Sequence, residues 1–198
     1  PQFAILCFAV WLHAANSMLA ATTLPSAVGE LGHADLIAWA FMLSQLGSIL
    51  AGAAAGLLAR RMELRRGLIA AAFVYGVGSV VCASAPIMQV LLAGRLLQGA
   101  GGGMLLALTY VALARHFPSH LLPRFMAMIS AVWSTSAFCG PLIGGTFSTF
   151  GLWRFGFWAF AAQAVLFIAL APRVLSKEVD GAEQPPARFP ALRLSLLS

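Results

Sequence analysis

The first notable feature of this 198-residue sequence is how little charge it carries. Charged residues make up 9% of the chain, against roughly 25% in an ordinary soluble domain. Hydrophobic residues make up 61%, and the mean hydropathy is +0.89. A soluble globule of this size needs a polar surface, and these residues cannot supply one. The composition therefore excludes an ordinary soluble domain and predicts a chain that is solvated by the lipid bilayer.

The sequence also has few residues that could build a redox, metal or nucleic-acid site. Three cysteines, an odd number with no CxxC spacing, predict neither a disulfide framework nor a zinc site. The net charge is +6, but the basic residues fall in short clusters between apolar runs and form no basic face typical of nucleic-acid binding. We therefore expect no cofactor, no metal and no nucleic-acid partner.

Six apolar stretches are long enough to cross a membrane, since a helix needs about 20 apolar residues to span a ~30 Å hydrocarbon core. They are Phe3–Leu24, Leu36–Ala59, Gly67–Ser84, Ile87–Ala114, Phe125–Phe150 and Phe155–Pro172. The sequence thus predicts an all-α membrane protein, a bundle of six transmembrane helices over residues 1–172. Residues 173–198 are polar at first and include two adjacent prolines, so we expect a cytoplasmic linker that could open a further segment.

The distribution of basic residues predicts the orientation in the membrane. Ten of the twelve lie in the loops after the second and fourth spans or after the sixth span. The opposite loops hold Glu30, Asp35 and a single arginine, Arg154. Because cytoplasmic loops are enriched in Lys and Arg, both ends should be cytoplasmic, which agrees with an even number of spans. We expect a multi-pass protein of a plasma membrane, such as the bacterial inner membrane.

Arg95 is the one charged residue inside a predicted span. A charged side chain at the membrane centre costs about 2.5–3.5 kcal/mol on insertion scales, so it needs a polar cavity or a partner. Gln98 follows three residues later, on the same helical face. Two interpretations stay open: Arg95 bonds backbone carbonyls and fixes packing, or it is a cavity charge that helps to move protons or substrate.

The surroundings of Arg95 resemble the fourth-helix signature of the major facilitator superfamily, L-x-x-x-R-x-x-Q-G-x-G. The matching residues are Leu91, Arg95, Gln98, Gly99 and Gly101. The resemblance implies half of a major facilitator fold, built from two inverted three-helix repeats.

The loop after the second span is similar to the gating-loop motif of the same family, G-x-L-A-D-R-x-G-R-K-x-x-L. Gly56, Arg61 and Arg65 match it. Arg60 stands where the family has an aspartate, and Glu63 stands at its second glycine. In the family the acid helps to latch the two halves. We expect Glu63 to supply a displaced carboxylate to this loop.

The fifth span resembles the antiporter signature G-x-x-x-G-P-x-I-G-G. Gly140, Pro141, Gly144 and Gly145 match, and Ser136 replaces the first glycine. Proline removes a helical hydrogen bond and the glycines permit close packing and a bend. The alternative is a kinked packing helix with no role in coupling.

The first span is similar to that of the fourteen-span drug:proton antiporters, with Asn16 where those proteins carry an aspartate. Asn16 cannot titrate. His13, one turn earlier, can change charge near neutral pH, although a membrane histidine can also be a hydrogen-bonded packing residue.

The resemblance implies an efflux transporter that works by alternating access, coupled to protons, with small hydrophobic or cationic compounds as substrates. The chain would be its N-terminal half, with the C-terminal half as partner, and His13, Asn16, Arg95 and Gln98 would line the cavity. A transporter-like sensor or scaffold without net transport is the alternative. An enzyme is not expected, since neither G-x-S-G nor HExxH occurs.

Overall fold

The computed structural model describes residues 2–175, and within this range the chain forms six long α-helices and no β-strand. Each helix is long and apolar enough to cross a membrane, which confirms the predicted all-α bundle of six spans. The helices are α1 (Gln2–Leu31), α2 (Ile37–Arg61), α3 (Leu64–Ala83), α4 (Met88–His116), α5 (Leu122–Thr149) and α6 (Trp153–Val174). Short 3₁₀ turns, Ala34–Leu36 and Ser119–Leu121, precede α2 and α5.

The helix ends differ from the ends of the predicted spans, most clearly in α1. The first span was predicted to stop at Leu24, before Pro25, but α1 continues to Leu31. A proline removes one helical N–H donor only, and membrane helices tolerate this loss. The helix ends where Gly32 adopts a left-handed φ of 75°, a conformation that glycine reaches without strain.

The helices pack in a pattern that repeats between the first three and the last three. If α1, α2 and α3 correspond to α4, α5 and α6 in that order, the contact of α2 with α4 corresponds to the contact of α5 with α1. The contact of α3 with α4 likewise corresponds to the contact of α6 with α1. All four pairs pack together in the bundle. The 3₁₀ turns follow the same rule, since they precede α2 and α5. This packing agrees with two inverted three-helix repeats.

Buried apolar side chains fill the bundle in two clusters. The larger cluster joins α1, α3, α4 and α6 and includes Leu12 and Phe167. The smaller cluster includes Leu24 and Trp153. On the outside, α2 and α5 present large apolar side chains, such as Phe138 with 82% of its surface exposed. Such faces suit contact with lipid or with further helices.

The boundary predicted at residue 172 falls in the last turn of α6, which ends at Val174. From residue 176 onward, the predicted linker over 173–198 lies outside the described residues.

Candidate functional site

Arg95 lies inside the bundle on α4, with 2% of its surface exposed. Its Nη1 donates a hydrogen bond to Oε1 of Gln98 at 2.6 Å. Its Nε donates to the backbone carbonyl of Ala40 on α2 at 3.4 Å. Within residues 2–175, no carboxylate forms an ion pair with Arg95. The guanidinium charge is therefore held by neutral acceptors.

A chain of hydrogen bonds continues from Arg95 into α3 and α1. Nε2 of Gln98 donates to Oγ of Ser79 at 2.8 Å, and that hydroxyl donates to the carbonyl of Tyr75 at 2.9 Å. The Tyr75 hydroxyl donates to the carbonyl of Leu12 at 2.8 Å. The side chains of Gln98, Ser79 and Tyr75 are all fully buried. This network joins α1, α2, α3 and α4 and satisfies polar groups that would be costly if left unpaired in a membrane.

Glycines bring α4 unusually close to its neighbours. A Cβ atom placed on Gly99 would lie 2.7 Å from the carbonyl carbon of Ser44 on α2. A Cβ atom on Gly78 of α3 would lie 2.8 Å from Cα of Gln98. Favourable carbon contacts need about 3.5–4.0 Å, so any larger residue would push the helices apart. The close approach allows the α2 carbonyl and the α3 hydroxyl to reach the polar side chains of α4.

His13 and Asn16 lie on successive turns of α1, where α1 meets α4 and α5. They are 6% and 2% exposed. The His13 ring packs edge-on against Trp133 of α5, with 6.0 Å between ring centroids, and a Cβ atom on Gly102 of α4 would overlap that ring. Oδ1 of Asn16 is buried and has no hydrogen-bond partner among the described residues. An unpaired buried acceptor costs about 1–3 kcal/mol, so this oxygen favours an added donor.

The antiporter-type motif of α5 faces α1 with two of its glycines. Cβ atoms on Gly140 and Gly144 would each lie 3.0 Å from a carbonyl oxygen of α1. Gly145 has no such neighbour within 4 Å, and Pro141 lies within the helix between them. Gly140 and Gly144 thus allow close packing of α5 on α1, while a role of the motif in coupling stays a prediction.

The charged residues of the predicted gating loop pair with their near neighbours in the sequence. Glu63, at the start of α3, forms ion pairs with Arg65 at 3.3 Å and with Arg66 at 3.2 Å. Arg61 is exposed, and a Cβ atom on Gly56 would have no neighbour within 4 Å. The carboxylate of Glu63 is therefore engaged within its own segment, and its role in gating stays a prediction.

A second polar cluster joins α1, α6 and the connection between α3 and α4. The Glu30 carboxylate accepts hydrogen bonds from Nε1 of Trp153 at 2.7 Å and from Nη1 of Arg154 at 2.5 Å. Nη2 of Arg154 donates to the carbonyl of Ala85 at 2.8 Å. The distribution of charge along the sequence placed Glu30 and Arg154 on one side of the membrane but did not pair them.

Sequence reasoning brought Arg95 and Gln98 together but missed Ser79 and Tyr75. Both missed residues lie one turn apart on α3, as polar side chains in an otherwise apolar span. That i,i+4 spacing was the available signal. The structure also packs His13 against Gly102, two turns after Arg95 on α4, so His13 lies beside the helix that carries Arg95 and Gln98.

A six-helix membrane bundle built from two three-helix repeats, with a buried charge between its helices, is the architecture of one half of many secondary transporters. The model of the Major Facilitator Superfamily matches residues 6–197, and the chain belongs to this family of membrane transporters. It is a multi-pass integral membrane protein, and the proteins of this family are transporters rather than enzymes.

The comparison with individual proteins agrees. A protein of Mycobacterium tuberculosis named probable multidrug-efflux transporter is 37% identical over 167 residues, which cover 84% of this chain and 35% of that protein. The multidrug efflux pump SdrM of Staphylococcus aureus is 26% identical, over 83% of this chain and 37% of the pump. The chain therefore spans about a third of the length of these curated relatives.

Solved structures show the same fold. A D-xylose–proton symporter superposes with a TM-score of 0.74 at 17% identity, covering 89% of this chain and 48% of the symporter chain. The inward-open xylose transporter XylE of E. coli gives a TM-score of 0.75, also at 17% identity, covering 88% of this chain and 47% of that one. At this level of identity, the likeness concerns the fold alone.

Proposed function

We propose that this chain is the N-terminal half of a secondary transporter that exports small hydrophobic or cationic compounds in exchange for protons, by alternating access. Relatives named as multidrug-efflux proteins support export. The chain covers about half of a solved transporter of the same fold, which supports a second, C-terminal half that completes the cavity. The clusters of basic residues support an orientation with both ends in the cytoplasm, and the bacterial relatives support a location in the bacterial inner membrane.

The single observation that carries this proposal is the buried charge of Arg95. A bundle that only had to be stable would favour an apolar side chain there, because replacing buried charged groups by apolar ones is often neutral or stabilising. Arg95 is instead held by Gln98 and a backbone carbonyl, inside the membrane-spanning region. Such residues are typical of ion and substrate pathways in membrane proteins.

Proton coupling in this half would depend on His13. Within residues 2–175, the acidic residues lie at helix ends or in connections, so the buried imidazole of His13 is the group inside the bundle that we propose as the proton carrier. His13 packs against Gly102 of α4, two turns after Arg95, so a proton on His13 would place two positive charges in the same buried region. Their repulsion would favour a conformation that separates them, which is how protonation can shift a conformational equilibrium.

The same region offers contacts for substrate. Oδ1 of Asn16 lacks a hydrogen-bond partner within residues 2–175 and can accept a bond from a donor on a bound compound. The ring of Trp133, next to His13, offers apolar surface and a face that attracts cations. These contacts fit a compound with an apolar body and one donor or cationic group.

The alternative is a transporter-like sensor or scaffold without net transport. It is favoured by the ion pairs of Glu63 with Arg65 and Arg66 in the first turn of α3, because they hold that carboxylate within its own segment. Asn16 also favours the sensor or scaffold, because an asparagine cannot carry a proton.

The test is dye transport in inside-out vesicles that contain the intact protein, with empty vesicles as control. We expect a proton gradient to drive uptake of ethidium or of a neutral fluorescent dye, and nigericin, which collapses the pH gradient, to stop it. Folded protein that moves neither dye in response to the gradient would favour the sensor or scaffold.

A further inference from the structure

The α3 helix contributes a fully buried hydroxyl to the Arg95 network that no motif in the sequence identifies. Ser79 stands on α3, opposite Gln98 of α4. It makes two hydrogen bonds, one with the carbonyl of Tyr75 in the preceding turn and one with the amide of Gln98. The close approach that brings it there depends on Gly78 and Gly94, whose added Cβ atoms would collide with the facing helix.

The direction of these bonds determines how the Gln98 amide is turned. A serine hydroxyl has one hydrogen to donate, and Ser79 donates it to the carbonyl of Tyr75 at 2.9 Å. Its oxygen is then left as an acceptor for Nε2 of Gln98 at 2.8 Å. With Nε2 directed to Ser79, Oε1 of the same amide faces Arg95.

The opposite orientation of the amide would be unfavourable. It would direct the NH₂ group of Gln98 at the guanidinium of Arg95, and both groups only donate hydrogen bonds. Among the described residues, Arg95 would keep only its bond to the carbonyl of Ala40, which is long at 3.4 Å. The bond from Arg95 to Gln98, at 2.6 Å, is the shorter of the two, so the position of the guanidinium depends mainly on Gln98.

We propose that Ser79 is a positioning residue for transport, which orients the Gln98 amide and through it holds the Arg95 guanidinium in place. The proposal rests on the proposed function, because it assigns Ser79 a purpose in a cycle that uses Arg95. Tyr75 supports this arrangement with two hydrogen bonds. Its backbone carbonyl accepts the bond from the Ser79 hydroxyl, and its own hydroxyl donates to the carbonyl of Leu12 on α1.

Hydrogen exchange at the Arg95 side chain tests this positioning directly. The intact protein is labelled with ¹⁵N-arginine in lipid nanodiscs, and the Nη1–H resonance of Arg95, the group that donates to Gln98, is assigned by its loss in Arg95→Lys. We expect slow exchange in the wild type. Ser79→Ala should accelerate it about tenfold, as loss of a hydrogen bond that holds a charged group implies, and Ser79→Thr, which keeps the hydroxyl, should restore slow exchange.

A matched control and a double variant separate positioning from general loosening. Ser84, the residue that follows α3, makes the same kind of bond to the carbonyl four residues before it but is exposed, so Ser84→Ala should leave the exchange unchanged. In a Gln98→Met background, Ser79→Ala should add no further acceleration. Unchanged exchange in Ser79→Ala, or an equal acceleration in the Gln98→Met background, would overturn the proposal.

Dye transport by the same variants links positioning to function. Ser79→Ala should slow gradient-driven transport about tenfold with little change in apparent KM, while Ser84→Ala should not. Wild-type rates in a Ser79→Ala protein with accelerated exchange would overturn the role in transport. A wild-type protein that transports nothing would refute the proposed function. The hydrogen-exchange measurement needs no substrate, so it would still decide whether Ser79 positions Arg95.

Discussion

A methyl group added at Gly99 should separate α2 from α4 and destabilise the bundle. The new Cβ atom of Gly99→Ala would lie 2.7 Å from the carbonyl carbon of Ser44 and 2.8 Å from its Cα. Carbon atoms in favourable contact are about 3.5–4.0 Å apart, so the helices must move apart by about 1 Å. The obstructing atoms belong to backbone, and no side-chain rotation can relieve the overlap.

The expected loss is about 1–3 kcal/mol in unfolding free energy, the usual cost of overpacking a close-packed interior. Part of it is offset because alanine favours the helix over glycine by up to about 1 kcal/mol. The movement would also lengthen the bond between Arg95 and Ala40, which at 3.4 Å is already near the limit for a hydrogen bond. Ala40 lies one turn before Ser44 on α2, so it moves with the same helix.

Denaturant unfolding of the intact protein in detergent measures this loss, with Gly145→Ala as the matched control. Gly145 is also helical, but a Cβ atom there would have no neighbour within 4 Å. We expect Gly145→Ala to be as stable as the wild type or slightly more stable. If Gly99→Ala were as stable as Gly145→Ala, the close crossing of α2 and α4 could not be the constraint described above.

Two further changes probe the α1 helix. Glu30→Gln keeps the shape of the side chain but removes the charge paired with Arg154. Because this pair is partly exposed, chemical denaturation should show a loss in unfolding free energy below about 1 kcal/mol. A loss several times larger would mean that the cluster holds the bundle together. Asn16→Asp places a carboxyl group at a site where the present Oδ1 is buried and unpaired. An ionised carboxylate is costly in such a site, so the melting temperature of Asn16→Asp should lie below that of the wild type at pH 8 and near it at pH 5. Equal melting temperatures at both pH values would show that the site is hydrated.

The six spans could be predicted because the length of an apolar run is a strong signal in a membrane protein. The pair Arg95 and Gln98 could be predicted as well, since residues three apart share a helical face. The end of α1 could not be predicted. A proline such as Pro25 breaks helices in water, but it is tolerated in a membrane helix.

The partners that complete the site depend on helix crossings that no local pattern reveals. Ser79 reaches Gln98 only because glycines let α3 approach α4, and His13 meets Trp133 only because α5 packs on α1. The family motifs indicated which helices carry function. They did not indicate that the Glu63 carboxylate pairs with two arginines in the first turn of α3.

The central claim is that the buried charge of Arg95 serves transport and not merely packing. The most direct test is the gradient-driven dye transport rate of Arg95→Met, at equal amounts of folded intact protein, beside Arg124→Met at an exposed arginine of α5. We predict that the folded fraction of Arg95→Met loses gradient-driven transport, while Arg124→Met transports as the wild type does. Transport at the wild-type rate by Arg95→Met would contradict the claim and leave Arg95 a packing residue.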